Sequence, residues 1–286
     1  MSIVDIIQKK KFAVTVEIAP PKGTNYEKAS NAAVAMAEHV DAVNITEGQS
    51  ATMRMGSMAL AHLLGDKSVE TIMQITCRDQ NRISLQSTLI NAFTLGIKNV
   101  LCLTGDHVLL GDHQEARQVF DLDSVSLLHA LSLLNGGSDM AGNSLTGATD
   151  LCAGAVVNPS SDPIEPQLIK MKRKINAGAR FFQTQPVFDI DLLKPVLEIA
   201  RENNVYVLMG VLFLRSGAMA RRFNEKSGIR VPEDVLSRMS DSNSPENTGI
   251  EITARLISEA REICDGVHLM GINNADLLKR IIDKAI

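Results

Sequence analysis

Short apolar runs alternate with longer amphipathic stretches from one end of the chain to the other. Runs of β-branched and aliphatic residues bounded by polar turns predict strands over 13–18 ("AVTVEI"), 41–46 ("DAVNIT"), 71–76 ("TIMQIT") and 99–105 ("NVLCLTG"). The second half repeats the pattern at 151–157 ("LCAGAVV"), 181–186 ("FFQTQP"), 206–212 ("YVLMGVL") and 266–271 ("GVHLMG"). Between them the apolar residues fall at helical spacing, as in "YEKASNAAVAMAEH", "RISLQSTLINAFTLG", "EPQLIKMKRKINAG" and "IEITARLISEAREICDG". Several of these segments close on a glycine that suits a left-handed C-terminal cap. Eight strand–helix units result.

That count, in a chain of 286 residues, predicts the α/β class and a (β/α)8 TIM barrel, for which roughly 250 residues is typical. A single domain over 1–286 is expected, since no repeat, low-complexity tract or Pro/Ser-rich linker divides the chain. Two segments read as irregular insertions. Residues 107–150 hold a helix near "DSVSLLHALSLLNGG" and a flexible "GGSDMAGNSLTGATD"; residues 231–249 are rich in Pro, Ser, Asp and Asn.

Composition removes several function classes. The net charge of -4 is spread without any basic stripe, which argues against a nucleic-acid partner. No apolar run approaches the roughly 20 residues of a membrane span, and the N-terminus lacks a signal peptide's apolar centre, so a cytoplasmic protein is expected. Cys77, Cys102, Cys152 and Cys264 form no C-x-x-C pair, so neither a metal site nor a disulfide framework is expected. Cys102 and Cys152 read as buried small hydrophobes; Cys77, at a strand end, stays ambiguous. With 3% aromatic residues and no Trp, a planar ligand would be held mainly by aliphatic and polar groups.

In a barrel of this kind, chemistry gathers at the C-terminal ends of the strands. Those ends form a polar crown of Glu17, Thr46, Glu47, Gln74, Thr76, Arg78, Thr104, Asp106, Asn158, Gln183 and Gln185, with Asn273 just beyond the last strand. Glu17 lies between apolar neighbours, where an ionised carboxylate is costly without a partner. Burial would raise its pKa and suit it to general-acid work; a salt bridge to a neighbouring strand is the alternative. Asp106 poses the same choice. Gly105 before it permits close backbone approach to a ligand, but a Gly-Asp pair also makes an ordinary turn. No G-x-G-x-x-G or G-x-x-x-x-G-K-[ST] string announces a phosphate site.

Four stretches resemble the methylenetetrahydrofolate reductase family from about residue 11 onward. They are "VTVEIAPPKG", "QITCRDQNRISLQSTLINAFTLGIKNVLCLTGD", "KMKRKINAGARFFQTQPVFD" and "GVHLMGIN". The resemblance implies a flavoenzyme that reduces 5,10-methylenetetrahydrofolate to 5-methyltetrahydrofolate, or runs the reverse, by ping-pong hydride transfer at flavin N5. It assigns Glu17 as the general acid and Asp106 as the carboxylate between flavin and folate. Gln185 and Gln183 would contact folate, and Thr46, Gln74, Thr76, Thr104, Gly105, Asp106, Asn158 and Lys174 would line the flavin site. The implied cofactor is FAD, with FMN as the shorter possibility, and NADH or NADPH is a possible donor. No metal is implied. A homo- or hetero-oligomer is expected.

Two positions depart from the family pattern: Gln74, where His is frequent, and the strand-seven segment with Arg215 and Gly217, where Phe is frequent. "EIAPPKG" and "GDHQEARQVFDLDS" look closer to the versions in fused methyltransferase-reductases and anaerobic folate pathways. In such systems a partner subunit can supply the electrons. The alternatives are therefore a folate-binding barrel of the transferase class and a reductase subunit that depends on an electron-transfer partner.

Overall fold

The computed structural model describes residues 1–226 and 229–286. Its strands are β1 (Ala13–Ile18), β2 (Ala42–Ile45), β3 (Thr71–Thr76), β4 (Asn99–Leu103), β5 (Cys152–Val157), β6 (Phe181–Pro186), β7 (Tyr206–Leu212) and β8 (Gly266–Met270). They pair in parallel and in chain order, and β8 closes on β1 with Thr15 opposite His268. The barrel is therefore the one expected from the strand count, and each strand boundary falls within two residues of its expected place.

Helix α1 (Ile3–Lys10) precedes the barrel, and α2 (Glu27–Ala37), α3 (Ser57–Gly65), α4 (Arg82–Thr94), α5 (Ser124–Asn135), α6 (Glu165–Asn176) and α7 (Lys194–Glu202) follow the first six strands in turn. Among the described residues of the β7–β8 connection are α8 (Gly217–Lys226), α9 (Glu233–Ser240) and α10 (Pro245–Arg261), and α11 (Ala275–Ala285) follows β8. Local signals set the ends. Asn81 accepts from the backbone N–H groups of Ile83 and Ser84 to start α4, and Gly178, at φ +109°, turns the chain out of α6.

Strand side chains divide with period two. Val14, Val16, Ile18, Val43, Ile45, Met73 and Ile75 face the helices in the main core. A separate cluster of Ala13, Ala42, Ile72, Leu101, Phe181 and Leu208 fills the lower lumen. Ile3, Val4, Ile6 and Ile7 of α1 join that cluster and plug the N-terminal end of the barrel. Asn99 locks the plug: its Oδ1 accepts from the Ile3 N–H at 2.7 Å, while its Nδ2 donates to Glu70 Oε1 and the Thr71 carbonyl. Asn99→Ala leaves the buried Ile3 N–H without that acceptor and is expected to cost about 2 kcal/mol. Urea unfolding should show a lower midpoint with an unchanged slope.

Both segments read as insertions are more ordered than their composition implies. Within 231–249, Val235, Leu236 and Met239 are buried along α9, and Pro245 opens α10. Three apolar positions on one face outweigh the surrounding Ser, Asp and Pro. In the Gly-rich stretch after α5, the Asp139 carboxylate accepts from the N–H groups of Ala141 and Asn143 and from Asn143 Nδ2. Asn135 ties the far end of that turn through Thr149 and Leu151.

Candidate active site at the C-terminal mouth of the barrel

Above the lumen cluster, a polar layer crosses the barrel: Thr15 on β1, Asn44 on β2, Gln183 on β6 and His268 on β8, all buried. Asn44 Nδ2 donates to Gln183 Oε1 at 2.7 Å, and Thr15 Oγ1 stands 3.0 Å from His268 Nδ1. Gln183 and His268 of this layer floor a cavity of about 300 Å³ at the strand ends. Glu17, Gln74, Thr76, Thr104, Gly105, Asp106, Gln183 and Gln185 all line it, as do Glu47, Arg78 and His268. The apolar lining is Leu101, Leu103, Val156 and Met270, with no Phe, Tyr or Trp among the described residues.

Glu17 continues the inward positions Ala13 and Thr15, so the strand's alternation aims its carboxyl into the lumen. The side chain is 18% exposed, and burial pushes its pKa up to about 6, against a weak opposing hydrogen bond from Gln49 at 3.4 Å. No salt bridge to Lys or Arg holds it among the described residues. Its basic neighbour is His268, whose Nε2 lies 3.9 Å from Oε2. Burial drives that imidazole's pKa down to about 3, so the ring is neutral at physiological pH.

Asp106 stands exposed at the rim, where its Oδ2 accepts from the Ser50 N–H at 2.9 Å. Gly105 before it adopts φ +98°, and a Cβ there would stand 3.1 Å from the Cβ atoms of Thr76 and Arg78. Left-handed backbone at this close approach explains the glycine. Opposite, Gly48, Ser50 and Ala51 all have positive φ. The Arg78 guanidinium donates to the Gly48 carbonyl and is itself held by Asp79 at 2.7 Å. That loop carries Gln49 to Glu17. Glu47 is committed as acceptor to the Ser57 N–H at the start of α3.

On β6 the ladder register shifts between Gln183 and Pro186. The Thr184 hydroxyl takes the Gly210 N–H and donates to the Gln185 carbonyl, which leaves the Gln185 side chain exposed in the mouth. A second cavity of about 430 Å³ shares Leu103, Thr104, Asp106, Val156 and Gln185 with the first, so the two adjoin as the inner and outer parts of the cleft at this mouth. Asn158, Lys170 and Lys174 line its outer end. Lys174 Nζ donates to the Val156 carbonyl at 2.5 Å, and burial, helped by Lys170, lowers its pKa to about 8.

Of the expected residues, Thr46 and Asn273 line neither cavity: Asn273 is exposed beyond β8, and Thr46 is 1% exposed with no hydrogen-bond partner for its Oγ1 among the described residues. Asn158 accepts from the Ser160 N–H, and Thr104 Oγ1 accepts from the Ser124 N–H at the start of α5. Gln183 sits in the floor rather than the rim. Sequence reasoning passed over His268, Asn44, Thr15, Gln49 and Lys170. The available signal was polar residues at inward positions of otherwise apolar strands, 44 in "AVNI" and 268 in "GVHLM". Cys77 is fully buried with its thiol pushed up to about 12, which settles it as a core residue.

The sequence matches the family model described as methylenetetrahydrofolate reductase over residues 2–286. "Methylenetetrahydrofolate reductase 2" of Schizosaccharomyces pombe is 24% identical over 297 residues, covering 93% of this chain and 44% of that protein. A 5,10-methylenetetrahydrofolate reductase of Pectobacterium carotovorum is 23% identical over 278 residues, covering 93% of this chain and 88% of that one. The chain thus spans less than half the length of the yeast relative and most of the bacterial one. A solved structure from Clostridium thermocellum, an uncharacterised protein described as binding two copies of 5-methyl-5,6,7,8-tetrahydrofolic acid, matches with a TM-score of 0.66. It is 15% identical and the match covers 99% of this chain and 98% of that one, a likeness of fold. With the family model matched from residue 2 to residue 286 on this barrel, the chain belongs to the methylenetetrahydrofolate reductase family.

Proposed function

We propose that this chain is a flavin-dependent reductase that converts 5,10-methylenetetrahydrofolate to 5-methyltetrahydrofolate, or runs the reverse. The observation that carries the reading is Glu17: a carboxyl with its pKa pushed up to about 6, facing the same cavity as Asp106 and Gln185. Near neutral pH such a group still holds a proton in an appreciable fraction of molecules and can give it to an amine nitrogen of the folate's five-membered ring. Protonation there opens the ring and leaves a cationic iminium at the methylene carbon. The Asp106 carboxylate at the rim opposes that developing charge, and the exposed Gln185 amide can hydrogen-bond the pterin.

The cleft fits a flavin. Its inner end is walled by Leu101, Leu103, Val156 and Met270, apolar surfaces for a planar ring, and its outer end carries Lys170 and Lys174 for phosphate. Bound there, the flavin would supply hydride to the methylene carbon after reduction by NADH, NADPH or a partner protein. Two lysines suit the pyrophosphate of FAD and equally the terminal phosphate of FMN.

Lys174→Met is expected to weaken FAD binding by at least tenfold, the scale of one charge-assisted hydrogen bond. Because the Lys174 pKa is lowered to about 8, wild-type affinity should itself fall as pH rises through that value. Fluorescence titration of the purified chain with FAD and with FMN, from pH 6.5 to 9.5, checks both statements. An affinity insensitive to Lys174 and to pH would remove the phosphate assignment. Bleaching by dithionite but by neither nicotinamide would assign the donor to a partner protein.

A further inference from the structure

The polar layer beneath the mouth sorts the two nitrogens of His268. Nδ1 stands 3.0 Å from Thr15 Oγ1 and 3.5 Å from Asn44 Nδ2. The Asn44 amide acts as a donor, since Nδ2 also gives a proton to Gln183 Oε1 at 2.7 Å. The Thr15 hydroxyl has one proton, with Nδ1 at 3.0 Å and the Val267 carbonyl at 3.3 Å as its two acceptors; given to Nδ1, the nearer of them, and joined by the Asn44 amide, it makes Nδ1 the acceptor and places the ring proton on Nε2. Nε2 points toward Glu17 Oε2, 3.9 Å away, so a shift of about 1 Å would make a hydrogen bond within the usual range.

We infer that His268 is a positioning residue for Glu17: its Nε2–H, fixed from behind by Thr15 and Asn44, is aimed at the carboxylate that remains once Glu17 has given up its proton. A lysine or arginine in this place would hold Glu17 ionised, and an aliphatic residue would leave burial unopposed. A neutral N–H donor lies between these limits and makes Glu17 a stronger acid than its buried site alone would allow. The other charged groups of the cavity are engaged elsewhere. Arg78 is held by Asp79 and the Gly48 carbonyl, Glu47 accepts from the Ser57 N–H, and Asp106 accepts from the Ser50 N–H. Gln49 adds a second, weaker donor at Oε1.

The inference rests on Glu17 being the acid of the proposed reaction, but its test needs no turnover. Difference infrared titration of the full chain, with Glu17→Gln as the blank, reads the Glu17 carboxyl directly. His268→Leu should raise its pKa by about one unit, and His268→Gln, which brings an amide N–H near the place of Nε2, should recover at least half of that shift. Where the folate half-reaction is measured, its pH limb should move by the same amount, a response that loss of packing alone would not give. Nitrogen-15 NMR of the wild-type histidines supplies an arm that needs no variant and should show the Nε2–H form for His268. An unchanged or lowered Glu17 pKa in His268→Leu, or an Nδ1–H tautomer in the wild type, would overturn the pairing. Loss of folate turnover with the titration as expected would count against the reductase reading instead.

Discussion

Glu17→Gln is expected to lower the rate of the folate half-reaction by about two to four orders of magnitude, the usual worth of a positioned general acid. Reduction of the bound flavin by its donor should stay close to wild type, because Glu17 takes no part in it. The same substitution is expected to stabilise the fold. A pKa raised from 4.5 to about 6 means that folding disfavours the ionised carboxyl, by about 2 kcal/mol once it is fully charged. The sign follows from the raised value. Below pH 4.5 the acid is neutral in both states and the wild type matches the variant. As pH rises from 4.5 through 6 the wild type loses stability, and above that window the variant keeps the whole difference. Urea unfolding of both proteins at pH 4.5 and pH 7.5 checks the prediction, and a variant less stable than wild type at pH 7.5 would refute it. A site that costs stability where it gains chemistry is the expected bargain for a buried acid.

Phe181→Ala is expected to destabilise the barrel by about 3–5 kcal/mol, the range for removing a buried aromatic ring. Phe181 is fully buried in the lumen, and its ring occupies the space beside Gly154, where an added Cβ would stand 2.2 Å from the ring. Gly154→Val should therefore also destabilise, by about 1–3 kcal/mol through overpacking. In the Phe181→Ala background the valine enters vacated space, so it should cost at least about 1 kcal/mol less than in the wild type. Urea midpoints for the four proteins complete the cycle. Strictly additive losses would mean that the two residues do not share that space. The pair matters to the site because this layer supports Gln183 in the cavity floor.

The barrel was legible because each strand is a short run rich in apolar and β-branched residues and each boundary carries polar turn residues. Glu17, Asp106 and Gln185 were legible for a related reason: they stand at strand ends, where barrel geometry concentrates polar groups. Other features are set by contacts that sequence order hides. The α1 plug has its own signals, Ser2 and Asp5 in a capping box, but eight residues of amphipathic pattern do not reveal that their apolar face meets the barrel lumen. His268 gains meaning only from Thr15, Asn44 and Gln183, which come from three other strands. Thr46 shows the opposite case. It follows the inward parity of Ala42 and Asn44, yet the chain turns into the Glu47–Ala51 loop and leaves its hydroxyl beneath the cavity wall. The β6 register shift, which frees Gln185, has no signature in "FFQTQP" beyond its proline.

The most direct test of the central claim is an anaerobic absorption spectrum of the FAD-loaded chain, first bleached with dithionite and then mixed with 5,10-methylenetetrahydrofolate after excess reductant is removed. Return of the oxidised flavin bands with formation of one equivalent of 5-methyltetrahydrofolate is expected, with a much slower return in Glu17→Gln. A flavin that stays bleached with the folate present, or reoxidises without forming the methyl product, would contradict that claim.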